Sequence, residues 1–141
     1  MEEASRRRDP PADPLVGFAL ERIGQVAVRA RDLEASVGFY RDALGLPLLF
    51  RAPPGLAFLK CGDLHLMLSA PESPEFDHPS SVLYFEVDDI ETAYRVLGER
   101  GVVFLGEPHR VHRADDHELW MAFFRDPDGN VLAIRARRPL G

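Results

Sequence analysis

The feature that most constrains this chain is that one pattern runs through it twice. Arg29-Ala30-Arg31-Asp32-Leu33-Glu34 superposes without a gap on Glu86-Val87-Asp88-Asp89-Ile90-Glu91, and Leu64 to Leu68 superposes on Asn130 to Ile134. In each half an alternating strand feeds a helix, and strands follow. The chain therefore reads as α+β, two β-α-β-β-β modules sharing one domain. A single helix covers one face of each module's sheet, so the other faces must meet each other or a ligand.

Taken in order, residues 1 to 20 read as a loosely packed tail. The Arg6-Arg7-Arg8 run and the prolines after it bury nothing, although Leu15 to Leu20 is apolar enough for a short helix. Module one spans 21 to 70. Its first strand lies in Arg22 to Ala30, with Val26, Val28 and Ala30 on one face and Gln25, Ala27 and Arg29 on the other. Asp32 caps a helix carrying Leu33, Val37, Tyr40 and Leu44, and Gly45 stops it. Strands follow at Leu46 to Phe50, Leu56 to Lys60 and Leu64 to Leu68, and a proline-bearing linker spans 71 to 80.

Module two spans 81 to 137. Its first strand runs from Val82 to Val87, and Asp88 with Glu91 suits a capping box for a helix reaching Gly101. Val102 to Leu105 reads as a strand, and 106 to 117 as a charged, histidine-containing loop, either simply solvated or acting as a lid. A hairpin closes the module, with Asp126-Pro127-Asp128-Gly129-Asn130 as its turn between apolar runs.

Composition narrows the function. The net charge is −6 and Lys60 is the only lysine, so no basic surface invites nucleic acid. No apolar run reaches the ~20 residues of a membrane span. A single cysteine, Cys61, and no secretory h-region lead us to expect a cytoplasmic protein. No nucleophile triad or phosphate-cradling glycine loop is present. His109, His112 and His117 lack the spacing of a zinc motif.

Val26-Ala27-Val28-Arg29-Ala30-Arg31-Asp32-Leu33, Phe39-Tyr40-Arg41-Asp42-Ala43-Leu44-Gly45-Leu46, Phe85-Glu86-Val87-Asp88-Asp89 and Phe123-Phe124-Arg125-Asp126-Pro127-Asp128-Gly129-Asn130 together resemble the vicinal oxygen chelate superfamily. Its members include glyoxalase I, methylmalonyl-CoA epimerase, extradiol dioxygenases, fosfomycin-resistance enzymes and bleomycin-resistance proteins. The resemblance covers residues 21 to 137. It implies two modules whose sheets curl around one cavity, and in the metal enzymes four ligands from the first and last strand of each module. Those positions fall here on Gln25, Met67, Val82 and Ala133. Only Gln25 is an acceptable ligand: Met67 is a soft thioether, and Val82 and Ala133 are hydrocarbon.

The reading that results is a metal-poor member binding a small organic molecule, with Gln25, His65, Tyr84, Glu86, Trp120 and Arg135 as the lining. No cofactor is expected, and no metal ligand is assigned. A homodimer follows from the resemblance to bleomycin-resistance proteins. The rival is a lyase or epimerase in which Gln25, His65 and Glu86 hold a relocated divalent metal, or His65 or Glu86 serves as a metal-free general base. Gln25 also reads as a satisfied buried amide, His65 as a solvent-facing histidine, and Glu86 and Arg135 as a cross-strand ion pair. Trp120 shares a face with Phe124, either cavity wall or core, because Leu119, Met121 and Phe123 opposite are equally apolar.

Overall fold

A computed structural model describes residues 17–140. In the first module β1 (Gln25–Arg29) leads to α1 (Leu33–Gly38), and β2 (Leu48–Ala52), β3 (Leu56–Cys61) and β4 (Leu64–Ser69) follow. They form a four-stranded mixed sheet in the order β1-β4-β3-β2, with β1 parallel to β4. A strap over 71–80, with one 3₁₀ turn at Pro74–Phe76, leads to the second module. There β5 (Leu83–Glu86), α2 (Ile90–Glu99), β6 (His109–Arg113), β7 (His117–Arg125) and β8 (Val131–Pro139) repeat the plan in the order β5-β8-β7-β6. Most of the tail expected at 1–20 lies outside the described residues; Gly17 to Leu20 contain no helix. No helix among the described residues is long and apolar enough to cross a membrane.

Local chemistry explains most element ends. The Asp32 carboxylate accepts from the Ala35 amide at 3.2 Å, capping α1 as expected. The helix then widens into a π-helical turn over Phe39–Ala43, with the Leu44 amide donating to the Phe39 carbonyl. Gly45 ends the segment at φ 83°, a conformation side-chain-bearing residues avoid. The cap of α2 is Asp89, not Asp88: its carboxylate accepts from the Glu91 and Thr92 amides and from the Thr92 hydroxyl. Two adjacent aspartates gave the sequence no means of choosing between them.

Two further expectations are corrected. Val102 to Leu105 is not a strand; Phe104 forms an isolated bridge to Phe124. The charged loop expected at 106–117 instead holds β6, paired to β7 with a bulge between Arg110 and His112. All five β6 residues are exposed, so no hydrophobic alternation announces the strand.

Each sheet buries the face that its helix covers. Val28, Ala57, Leu59, Leu66 and Leu68 pack with Val37 in module one, while Ala122, Phe124, Leu132, Ile134 and Ala136 pack with Ile90 in module two. A chain of rings joins the two cores: Tyr40 meets Phe39 edge-on at 5.5 Å, Phe39 meets Phe124 at 6.2 Å, Phe124 meets Phe104 at 5.3 Å, and Phe104 meets Tyr94 of α2 at 4.6 Å. Arg100, at the end of α2, adds a bond from Nη1 to the Ala43 carbonyl.

The β7–β8 turn binds the modules more directly. The buried Asp126 carboxylate accepts from the Tyr40 hydroxyl at 2.8 Å, the Asp128 and Asn130 amides at 2.9 Å, and Asn130 Nδ2 at 2.8 Å. Asp128 accepts from Arg29 Nε at 2.7 Å, the Arg31 amide at 2.7 Å and Arg31 Nε at 3.1 Å. Asn130 donates to the Arg29 carbonyl and accepts from the Ser80 amide, while Ser80 Oγ accepts from the Arg29 amide. Burial, then the neighbouring Asp126 carboxylate, holds the Tyr40 phenol far above its ordinary value, so it remains a donor.

Two outcomes follow. Tyr40→Phe should cost about 1–2 kcal/mol of unfolding free energy, and Asp126→Ala, which strands a buried phenol and two amides, about 3 kcal/mol or more; urea titrations measure both, and near-wild-type midpoints would show the network to be dispensable. The second concerns Asp128. Burial pushes its carboxyl up, but the Arg31 amide and the Arg29 and Arg31 guanidinium groups more than reverse this, leaving it below its ordinary 3.8. Its contribution is therefore present above the ordinary carboxylate range and lost as pH falls through the lower folded-state value. Stability measured from neutral into acid should fall more steeply in the wild type than in Asp128→Asn, and parallel curves would refute the assignment.

Candidate functional site

The faces that neither helix covers carry the candidate site. In module one, registers Gln25↔His65, Ala27↔Met67 and Arg29↔Ser69 continue through Lys60↔His65 and Phe58↔Met67, so these side chains share the outward face. In module two, Tyr84↔Ala133 and Glu86↔Arg135 continue through Phe123↔Ala133 and Met121↔Arg135. Five of the six expected lining residues, Gln25, His65, Tyr84, Glu86 and Arg135, thus lie on outward faces. They form two groups: Gln25 and His65 on one sheet, and Tyr84, Glu86 and Arg135 on the other. No hydrogen bond or ion pair among the described residues joins the groups.

Trp120 is the correction. It lies on the opposite, helix-covered face of β7, beside Ala136 and packed against the core. Its indole Nε1 donates to Glu118 Oε1 at 2.9 Å, and the Arg138 guanidinium stacks 4.2 Å from its ring centre. The aromatic residue facing outward from this strand is Phe123. Alternation could not select between them, since β7 is apolar on both sides.

The outward faces are built from rings. On the first sheet Phe50 stacks on Phe58 at 4.5 Å and 18°, and Phe58 meets His65 edge-on at 6.4 Å. On the second, His109 stacks over Phe123 at 6.3 Å, and Phe123 meets Tyr84 edge-on at 5.9 Å. The last contact passes above Ala133, which is fully buried although it faces outward. Phe50 and Tyr84 remain about half exposed, at 50% and 49%.

Polar groups between the rings have specific neighbours. Gln25 Nε2 donates to Met67 Sδ at 3.7 Å. Glu86 Oε1 lies 3.1 Å from Arg135 Nε, the cross-strand ion pair read from the sequence, although the Nε hydrogen is not aligned on it. No three His, Cys, Asp or Glu side chains among the described residues converge as a metal cluster. At the far end of the first sheet the strap encloses a cavity of about 370 Å³, lined on the sheet side by Ala27, Arg29, Leu56 and Met67 and on the strap side by Phe76 and His78. The segment was expected as a linker over 71–80; its packing over this outward face had no signal in the sequence.

The opposite faces of Trp120 and Phe123 make a prediction. Trp120→Phe, which loses the Glu118 bond, should cost about 1 kcal/mol in stability and leave binding at the outward face unchanged. A ligand titration in which Trp120→Phe loses affinity as Phe123→Leu does would contradict the placement.

Comparison with known proteins agrees with this architecture. Residues 22–134 match the Glyoxalase/Bleomycin resistance protein/Dioxygenase superfamily. The chain is 31% identical to the uncharacterized protein YraH of Bacillus subtilis, with 78% of this chain and 94% of that one covered. It is also 31% identical to the glutathione transferase FosA of Serratia marcescens, over 82% of this chain and 80% of that one. Among solved structures, TnmS3, an antibiotic binding protein from Streptomyces sp. CB03234, superposes with TM-score 0.68 at 27% identity, covering 84% of this chain and 98% of that one. Lactoylglutathione lyase from Agrobacterium tumefaciens shares the fold, with TM-score 0.69 at 24% identity over 84% and 96% of the chains. This chain belongs to the Glyoxalase/Bleomycin resistance protein/Dioxygenase superfamily.

Proposed function

We propose that the protein is a cytoplasmic binding member of the superfamily. It sequesters a small organic molecule against its outward sheet faces without the superfamily's usual metal. The observation that carries this reading is the pair of half-exposed ring rows on faces left uncovered by any helix. TnmS3, an antibiotic binding protein of the same fold, is a precedent. The metal positions implied by the superfamily do not fit. Ala133 lies buried beneath the Tyr84–Phe123 contact, Val82 has no donor atom, and Met67 offers only a thioether already engaged by Gln25.

A homodimer completes the proposal. A second copy, with the first-sheet face of one protomer opposite the second-sheet face of the other, would cover Phe50, Val82, Tyr84 and Val111, all exposed in a single chain. The FosA relationship supports a second reading, an enzyme with a relocated metal on Gln25, His65 and Glu86. Against it, Glu86 stands beside Arg135, whose guanidinium competes for the carboxylate.

Elemental analysis of tag-free protein dialysed against Ni, Zn, Mn and Fe separates the readings. The expected result is no stoichiometric metal, a solution mass twice that of one chain, and a thermal shift on adding small organic ligands that Tyr84→Ala abolishes. One tightly held metal equivalent, lost in Gln25→Ala or His65→Ala, would overturn the binding reading in favour of the enzyme.

A further inference from the structure

The two outward faces carry the same pair of side chains at equivalent places. In the first sheet Phe58 lies opposite Met67, and in the second Phe123 lies opposite Ala133; Met67 and Ala133 correspond in the repeat. Two residues further along the same face stand Lys60 on β3 and Arg125 on β7. Residues two apart in a strand share a face and lie about 7 Å apart. Each sheet therefore presents a ring surface with a cation one pleat beyond it. Neither cation forms an ion pair with a described residue, and both are exposed.

Charge on these faces runs opposite to that of the chain. The net charge is −6. Yet the outward strand positions hold Lys60, Arg125, Arg135 and Arg137 against Glu86 alone, once Arg29 is set aside as neutralised by Asp128 and Asp77. Several of the acids that make the chain acidic lie elsewhere: Asp32 and Asp89 at helix caps, Asp126 and Asp128 in the inter-module turn, and Glu34 and Glu91 paired with arginines behind the sheets, while the strap's Glu72 and Asp77 stand at the Arg29–Leu56 end of the first sheet, the opposite end of β3 from Lys60. Local potential, not net charge, governs which ligand a face attracts.

On the reading that these faces are the ligand site, we propose that they take a planar aromatic acid. Its ring stacks on the Phe58 or Phe123 row, and its carboxylate, sulfonate or phenolate meets Lys60 or Arg125. The flat Phe50–Phe58 and His109–Phe123 stacks provide faces for a ring. The unpaired bases supply attraction that a saturated or cationic ligand cannot use equally.

Isothermal titration with three probes tests this. They are 2-naphthoate, its saturated counterpart decahydro-2-naphthoate, and 2-naphthylmethylammonium, which keeps the ring and reverses the charge. We expect 2-naphthoate to bind at least about tenfold more tightly than either. Its Kd should rise about tenfold in Phe58→Leu/Phe123→Leu, which preserves apolar bulk and removes the π face, and similarly in Lys60→Gln/Arg125→Gln, with a weaker salt dependence in the latter. Circular dichroism and urea midpoints establish that the variants are folded. Equal affinity for the saturated acid would overturn the ring assignment, and equal or tighter affinity for the ammonium probe the charge assignment; if Tyr84→Ala still abolished that binding, the outward-face site would survive without this ligand class. If no probe bound, or none responded to any outward-face substitution, both the ligand class and the site would fall.

Discussion

The buried carboxylate of Asp126 is the interaction on which the remaining architecture depends. Two four-stranded sheets, each with its own helix, have no continuous ladder between them, so something other than β pairing must fix their relative position. Asp126 draws the Tyr40 hydroxyl of module one and the backbone and side chain of its own turn onto one pair of oxygens. That geometry presents Asp128 to Arg29 and Arg31, and Asn130 to the Arg29 carbonyl and Ser80. A carboxylate this buried is tolerated because each oxygen has donors; removing the carboxylate would leave those donors desolvated and unsatisfied. The ring chain from Tyr40 to Tyr94 then fills the seam whose spacing the polar network sets.

Much of the fold was legible because the pattern occurs twice and its boundaries are chemical. Asp32 caps, Gly45 and Gly101 take positive φ, and Val26, Val28 and Ala30 alternate with Gln25, Ala27 and Arg29, all for reasons visible in single residues. Legibility failed where two residues offered equal local chemistry or where a strand had no buried face. Asp88 and Asp89 are alike as caps until the helix axis is known. Trp120 and Phe123 lie on opposite faces of a strand apolar on both. His109–Arg113 is an edge strand held by β7 and carries no apolar alternation of its own. The turn Asp126 to Asn130 was legible as a turn but not as a clamp, since its partners lie 50 to 101 residues away.

The candidate site shows the same division. Alternation placed Gln25, His65, Tyr84, Glu86 and Arg135 on one side of their strands, because period-2 geometry is local. What alternation could not supply was neighbours across strands: that Phe58 stands between Phe50 and His65, that Phe123 stands between His109 and Tyr84, and that a small alanine lets two rings close above it. These contacts depend on register, and register depends on turns and bulges that single-strand periodicity does not encode.

The long sequence separation of the inter-module clamp has a consequence for assembly of the chain. Arg29 leaves the ribosome about a hundred residues before Asp128 and Asn130, the groups that fix its side chain and carbonyl. Module one can form its sheet and cover it with α1 early, with Arg29 paired to Ser69 and bonded to Asp77 and Ser80, but the Asp128 and Asn130 bonds to the end of its first strand wait until nearly the last hairpin has been made. The final act of folding is then not the completion of module two alone. It is the locking of the oldest strand by the youngest turn, a non-local closure of the kind that makes such folds slow.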